Sequence, residues 1–340
     1  MKIDIKRVVF LFFSFLGLVI LVFVFWLFIG RAPLPSKITW GVSFSQKQAE
    51  LLGLSWKRVY LAILEDINPE AIKITSYWDL VEPQNEKYFF DDLDFQVKEA
   101  QKRRIKTILV IGRKVPRWPE CHIPKWARNL GEKEQEKEIL EFLRKVVLRY
   151  RDIETIKAWQ VENEPFFRFG ECPRINKDFV EKEIQIVKDT DTWKRPVIIT
   201  DSGSNRFWFK AASIGDIVGI SLYRKAWFDE FRSYVTYPFP PVFYFKKAQI
   251  IKKLFGKEVI CTELQAEPWG PVLLNKLSLE EQNKTMNLQQ FQKNIGFAKK
   301  TGLKEFYLWG AEWWYWLKEK QNQPQIWQEA KKVFRANRRI

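Results

Sequence analysis

Two glutamates stand in settings where a carboxylate can do chemistry. One lies in Trp159-Gln160-Val161-Glu162-Asn163-Glu164-Pro165, the other in Ile260-Cys261-Thr262-Glu263-Leu264-Gln265. They are 99 residues apart, and each closes a short apolar run where a strand would pass into a loop. Two carboxyl groups about 5–5.5 Å apart across a sugar are the machinery of a retaining glycosidase. One attacks the anomeric carbon; the other protonates the leaving oxygen and then activates water. Each glutamate has a local rival. Strand alternation puts Glu162 on the same face as Glu164 but deeper, where a charge is costly and calls for a basic neighbour. Glu267 follows Glu263 by four residues, in what reads as a loop.

Composition narrows the alternatives. His122 is the only histidine, so a multi-histidine metal site cannot be built and a Ser-His-Asp triad would have to use that one ring. Three cysteines cannot form a four-thiolate zinc site. The chemistry implied needs neither metal nor organic cofactor.

The elements that must position the two glutamates repeat one pattern. Apolar, β-branched runs at 38–44, 71–77, 107–111, 156–161, 196–200, 217–222, 258–262 and 305–309 alternate with charged amphipathic stretches. Helices are predicted at 93–104, 133–150, 177–188, 243–255, 278–301 and 325–335. Eight strands, most of them followed by a helix, over about 300 residues predict a (β/α)8 TIM barrel, whose functional residues sit at the carboxyl ends of the strands. No Gly-x-Gly-x-x-Gly turn supports the doubly wound alternative. The glutamates would then project from strands four and seven.

Asn163-Glu164-Pro165 after strand four, with Thr262-Glu263 after strand seven, resembles the clan A glycoside hydrolases. Tyr77-Trp78-Asp79 through Glu82-Pro83, Tyr88 and Phe90 is similar to the strand-two region of β-galactosidase-like and β-xylosidase-like members. The resemblance covers about residues 38–320 and assigns no single family. It implies a (β/α)8 fold with Glu164 as acid/base, Glu263 as nucleophile, and Asn163 bonding the sugar 2-hydroxyl. It also implies that Tyr223, ending strand six, bonds the nucleophile; an aromatic plug is the other reading. The arginine that often supports the nucleophile on strand two is replaced by Lys73, a point charge rather than a planar fork.

Fifteen tryptophans fall outside the N-terminal apolar run, and a flat indole covers the C–H face of a sugar. Trp309 is the preferred platform, with Trp78 and Trp269 as further contacts. Arg113, at the end of strand three, faces either substrate or a helix. Cys121 and Cys172 lie in loops after neighbouring strands, where an oxidising compartment would permit a disulfide; free thiols are the alternative. Cys261 reads as a buried free thiol and His122 as structural.

Residues 8–29 carry no charge over 22 positions, enough at ~1.5 Å per residue to cross a bilayer. The run is longer than a typical cleavable signal and lacks a good cleavage site, so it reads as a signal anchor. Lys2, Lys6 and Arg7 before it predict a cytoplasmic end at 1–7, a span at 8–30, a linker at 31–37 and an extracytoplasmic barrel at 38–340. Of the net charge of +16, the +12 beyond residue 37 is spread along most helices without a nucleic-acid motif, which suits a solvated exterior; attraction to anionic glycans or lipids is secondary. The sequence therefore points to a cell-membrane, single-pass protein acting on an oligo- or polysaccharide, with no nucleic-acid partner. A glycan-binding barrel without turnover and a transglycosidase are the competing readings.

Overall fold

The computed structural model describes residues 5–336. α1 (Ile5–Phe28) is followed by β1 (Thr39–Ser43), α2 (Gln46–Leu51), α3 (Trp56–Ala62), β2 (Ala71–Thr75), α4 (Trp78–Val81), α5 (Asp91–Lys102) and β3 (Lys106–Ile111). Then come α6 (Glu132–Tyr150), β4 (Ile156–Val161), α7 (Lys177–Thr190), β5 (Val197–Ser202), α8 (Phe209–Ile214) and β6 (Ile217–Leu222). The hairpin β7 (Lys225–Phe228) and β8 (Ser233–Thr236) precedes α9 (Pro241–Phe255) and β9 (Glu258–Gln265). α10 (Leu279–Asn283), α11 (Leu288–Lys299), β10 (Glu305–Trp309), α12 (Ala311–Lys320) and α13 (Gln325–Ala336) complete the chain.

The strands other than β7 and β8 close into an eight-stranded parallel barrel in the order β1-β10-β9-β6-β5-β4-β3-β2, a TIM barrel. Period-2 alternation decides what fills it. Ala71, Ile108, Ala158, Ile198, Ile260 and Tyr307 form a separate apolar plug inside the cylinder. A Cβ on Gly41 would come within 2.5 Å of the Tyr307 ring, so glycine makes room for that aromatic. Two residues beyond Ala71 and Tyr307, the same inward face carries Lys73 and Trp309 toward the mouth.

The helices form by burying one stripe. On α6 the stripe is Ile139, Phe142, Leu143, Val146, Val147 and Tyr150, at three- and four-residue spacing. α9 starts with Pro241 in its first turn and stops at Gly256, whose φ of 70° is cheap for glycine alone. The helix predicted over 278–301 is two helices, because Asn287 turns extended and caps α11 by accepting the Gln290 N–H. The hairpin β7–β8, its strands antiparallel, was not anticipated; no Asn-Gly or similar dipeptide marks its turn.

α1 contains 20 residues, Val9–Phe28, long and apolar enough to cross a membrane and not covered by the barrel. Its last turn is tied to the body. Leu27 is buried, and Phe28 packs on Phe243 with ring centroids 5.4 Å apart.

Candidate active site

Glu263 points into the barrel mouth from β9, which runs two residues past it. A register shift opposite Ile220 and Ser221 places Ser221 across from Glu263 on β6. Lys73 Nζ donates to Glu263 Oε1 at 3.2 Å, and the Tyr223 hydroxyl donates to Oε2 at 3.3 Å. Both oxygens of a buried carboxylate are thus held by donors from β2 and from just past β6, and the strand-two lysine does sit at Glu263.

Glu164 leaves β4 through a turn in which Glu162 and Glu164 have positive φ, 55° and 44°. Its N–H donates to Thr200 Oγ1 at 2.7 Å, and Ser221 Oγ donates to its Oε1 at 2.7 Å. Ser221 is therefore a link between the carboxyl it bonds and the glutamate it opposes in register. Burial, then the charges of Glu120 and Glu263, push the Glu164 carboxyl up to about 8. The positive φ values also explain Glu162. Alternation from Ala158 and Gln160 would turn it inward, but the reversed backbone sends it out of the barrel. There its carboxylate accepts N–H bonds from Arg113 (3.1 Å) and Lys114 (2.6 Å) and meets Glu183 of α7. The expected basic partner is thus backbone amide plus a second carboxyl, and burial raises the pKa of both acids. Gly112, at φ 137°, is required here: a Cβ would lie 2.7 Å from the Glu162 carboxyl carbon.

The loop after β3 brings residues that no strand-end rule identified. Glu120 is buried, takes Lys114 Nζ at 2.8 Å and Asn163 Nδ2 at 3.2 Å, and burial pushes it up to about 7 against the pull of Lys114. Asn163 is held between Glu120 and Gln160, whose Nε2 donates to Asn163 Oδ1 at 3.2 Å. Lys114 Nζ also reaches the carbonyls of Asn163 (2.7 Å) and Glu164 (3.3 Å), clamping that turn from below. Arg117, at φ 88°, lays its guanidinium 3.8 Å from the Trp309 ring centre. It also pairs with Glu267 and with Glu312 of α12, the latter at 3.1 Å. Burial opposes the Arg117 charge, but these two carboxylates outweigh it and hold it protonated.

Each predicted contact has a definite place. Trp309 closes β10 at the mouth, Lys73 Nζ lies 5.8 Å from its ring, and its indole N–H donates to Glu267 at 2.8 Å. One face of that platform is already covered by Arg117. Trp269 packs edge-on against Tyr223 at 5.2 Å. Trp78 does not reach the mouth: it is fully buried between Trp126 and Phe142, its indole N–H on Glu82. A flat aromatic starting α4 packs on the helix layer, because α4 turns the chain outward after β2. Arg113 likewise takes the helix-facing alternative, donating to Gln135 of α6 at 2.6 Å and lying 5.5 Å from the Phe179 ring of α7. Cys121 and Cys172 are joined in a disulfide with Cα atoms 4.7 Å apart; Cys261 is a buried free thiol. His122 is buried between Lys47 and the Arg117 carbonyl, and burial pushes it down to about 3. The missed residues share one trace in the sequence: the stretch Arg113-Lys114-Val115-Pro116-Arg117-Trp118-Pro119-Glu120-Cys121 is charged, yet follows directly on a barrel strand.

No protein-family model and no curated protein sequence matches the chain. Solved structures match it over four-fifths of its length. A β-galactosidase from Halorubrum lacusprofundi aligns at 14% identity and TM-score 0.55, over 80% of this chain and 52% of its own. The GH5_18 protein from Streptomyces cattleya, solved with GlcNAc, aligns at 12% identity and TM-score 0.55, over 82% and 71%. Xylanase 10B from Thermotoga petrophila, solved with xylobiose, aligns at 14% identity and TM-score 0.53, over 81% and 82%. The chain spans about half the length of the β-galactosidases it matches. The likeness is one of fold: this chain is a (β/α)8 barrel of the kind those glycoside hydrolases possess.

Proposed function

We propose that the chain is a membrane-anchored retaining glycoside hydrolase acting on a β-linked glycosidic bond of an oligo- or polysaccharide. The observation that carries this reading is the division of roles between two buried glutamates. Burial and neighbouring negative charge favour the protonated form of Glu164, which suits a general acid. Lys73 and Tyr223 donate to both oxygens of Glu263, which suits an attacking carboxylate. In the first step Glu263 attacks the anomeric carbon while Glu164 gives its proton to the departing oxygen. Esterification of Glu263 removes one of the charges that lifts the Glu164 pKa, so Glu164 becomes the base that activates water. The hydrolases with the same fold support the reading, as does the sequence resemblance to clan A. The apolar α1 supports the anchor, and Lys2, Lys6 and Arg7 before it support an orientation with the barrel outside the cell.

The test uses azide as a substitute nucleophile. Glu263→Ala should abolish turnover of a chromogenic β-glycoside, and azide should restore it with an α-glycosyl azide as product. Glu164→Ala with azide should give the β-azide, and NMR of the product distinguishes the two. Interchanged products would exchange the roles; no rescue at either position would remove the mechanism. The Arg117 guanidinium on the Trp309 face favours a second reading, a barrel that binds glycans without turnover. A 2-fluoro glycoside that leaves no covalent sugar on Glu263 would establish it.

A further inference from the structure

The wall of the barrel that receives α1 carries several exposed aromatic side chains together. α1 ends without slack. Lys246 of α9 donates to the carbonyl of Ile29 at 2.6 Å and to that of Trp26, and its ammonium lies 4.5 Å from the Trp26 ring. One carbonyl in the last turn of the apolar helix, and one just past it, are therefore bonded by the barrel itself. Phe28 then packs on Phe239 and Phe243, at the start of α9. Helices run back antiparallel to the strands in this fold, so that start lies toward the barrel mouth.

Aromatic packing continues from this joint through the buried Phe243 and Lys247 to an exposed aromatic cluster. Phe243 neighbours Lys247, and Lys247 neighbours Phe207, with ammonium-to-ring distances of 4.8 and 5.8 Å. Phe207 stacks on Phe209 at 5.7 Å, and Phe209 on Phe255 at 6.0 Å. Phe207 and Phe209 remain 45% and 43% exposed, Leu254 63%, and Phe231 at the hairpin tip 71%. Soluble surfaces scatter such residues singly; here Phe207, Phe209 and Phe255 pack together beside α9, the helix that receives α1. The charge is also distinctive. Between residues 203 and 257 ten lysines and arginines accompany three acidic residues. Exposed aromatics beside lysines and arginines fit one environment, the headgroup layer of a bilayer containing anionic lipid.

We infer that the outer wall formed by α8, α9 and the β7–β8 hairpin rests on the phospholipid surface, so that the barrel lies on its side with its mouth at headgroup level. The inference builds on the anchor reading of α1. It assigns the substrate a class: glycans carried on, or held close to, the same membrane surface.

The experiment uses the full chain in vesicles of phosphatidylcholine with phosphatidylglycerol. Nitroxide labels are placed singly at Phe209→Cys, Phe231→Cys and Leu254→Cys. Gln101→Cys on α5, exposed on the opposite wall, serves as reference. The native cysteines are disulfide-bonded or buried and take no label. Power-saturation EPR should show collisions with a water-soluble nickel chelate several-fold lower at 209, 231 and 254 than at 101, with collisions with oxygen raised. Nickel access at 209 or 254 equal to that at 101, in chain that resists alkaline carbonate extraction, overturns the inference and leaves the anchor standing. Loss of both nickel and oxygen access would mean protein rather than lipid covers the wall, and also overturns it. Chain released by carbonate refutes the anchor itself, and this inference with it.

Discussion

Glu164 keeps its proton because three effects act in one direction: burial, Glu120 and Glu263 all raise its pKa, against Lys114 and the Ser221 hydroxyl. Because the acid must be protonated to work, activity should fall as pH rises through about 8. Glu120→Gln removes a negative neighbour while keeping an acceptor for Asn163. The Glu164 carboxyl should then titrate lower, drawing the alkaline limb of kcat/KM toward neutrality. Carboxyl 13C NMR of Glu164 checks the shift without any substrate; an unmoved titration would mean that burial alone sets it. At this scale the sequence was legible wherever a side chain stands at a regular strand end. Glu263 and Tyr223 are of that kind, and Lys73 lies on the regular inward face of β2; Glu164 instead follows β4 through a turn and was found by its Asn163-Glu164-Pro165 setting. Glu162 was misplaced because alternation assumes extended backbone, and its φ of 55° is not extended.

Elements carry the next layer of the site. The loops after β3 and β4 are bonded to each other through Cys121–Cys172 and through the Glu171 N–H to the Pro119 carbonyl at 3.0 Å. Those loops hold Arg117, Glu120 and Asn163, so the disulfide fastens together two walls of the mouth. Its cysteines are 51 residues apart, and a crosslink of that span contributes about 2–4 kcal/mol by restricting the unfolded chain. Cys121→Ser with Cys172→Ser should lower the unfolding midpoint by several degrees in a thermal melt. It should also depress kcat/KM by loosening Arg117 and Glu120. An unchanged melt would mean that packing alone fixes the two loops. Strands β4, β6 and β10 could be bounded correctly from β-branched and apolar runs, since parallel barrel strands are buried on both faces. The β3 loop could not. Its course depends on positive φ at Arg117 and Glu120, which residue types there do not announce. The break at Asn287 was hidden for a different reason: its side chain caps a helix from inside a stretch that reads as continuously helical.

The whole molecule joins an apolar helix to a charged barrel exterior. α1 presents apolar side chains on all sides, whereas the barrel exterior is covered by ion pairs such as Lys102–Glu99 and Lys252–Glu258. Water cannot hydrate 20 such residues without a large cost, and a bilayer can accept them. Alkaline carbonate should therefore fail to strip the full chain from vesicles, as judged by sedimentation. Recovery in the supernatant would mean that α1 only lies against the lipid. The closed barrel and the apolar helix were both evident from periodicity and length. The way they meet was not, because it is made by Lys246 and Phe243, which in sequence are ordinary residues of an amphipathic helix.

That joint has a kinetic consequence. With Lys246 and Phe243 holding the end of α1 against α9, a membrane-held chain would search by drifting within a plane rather than sampling a volume. Its encounters would then scale with how many glycans stand on each patch of lipid, and dilution of the surrounding fluid would leave them unchanged.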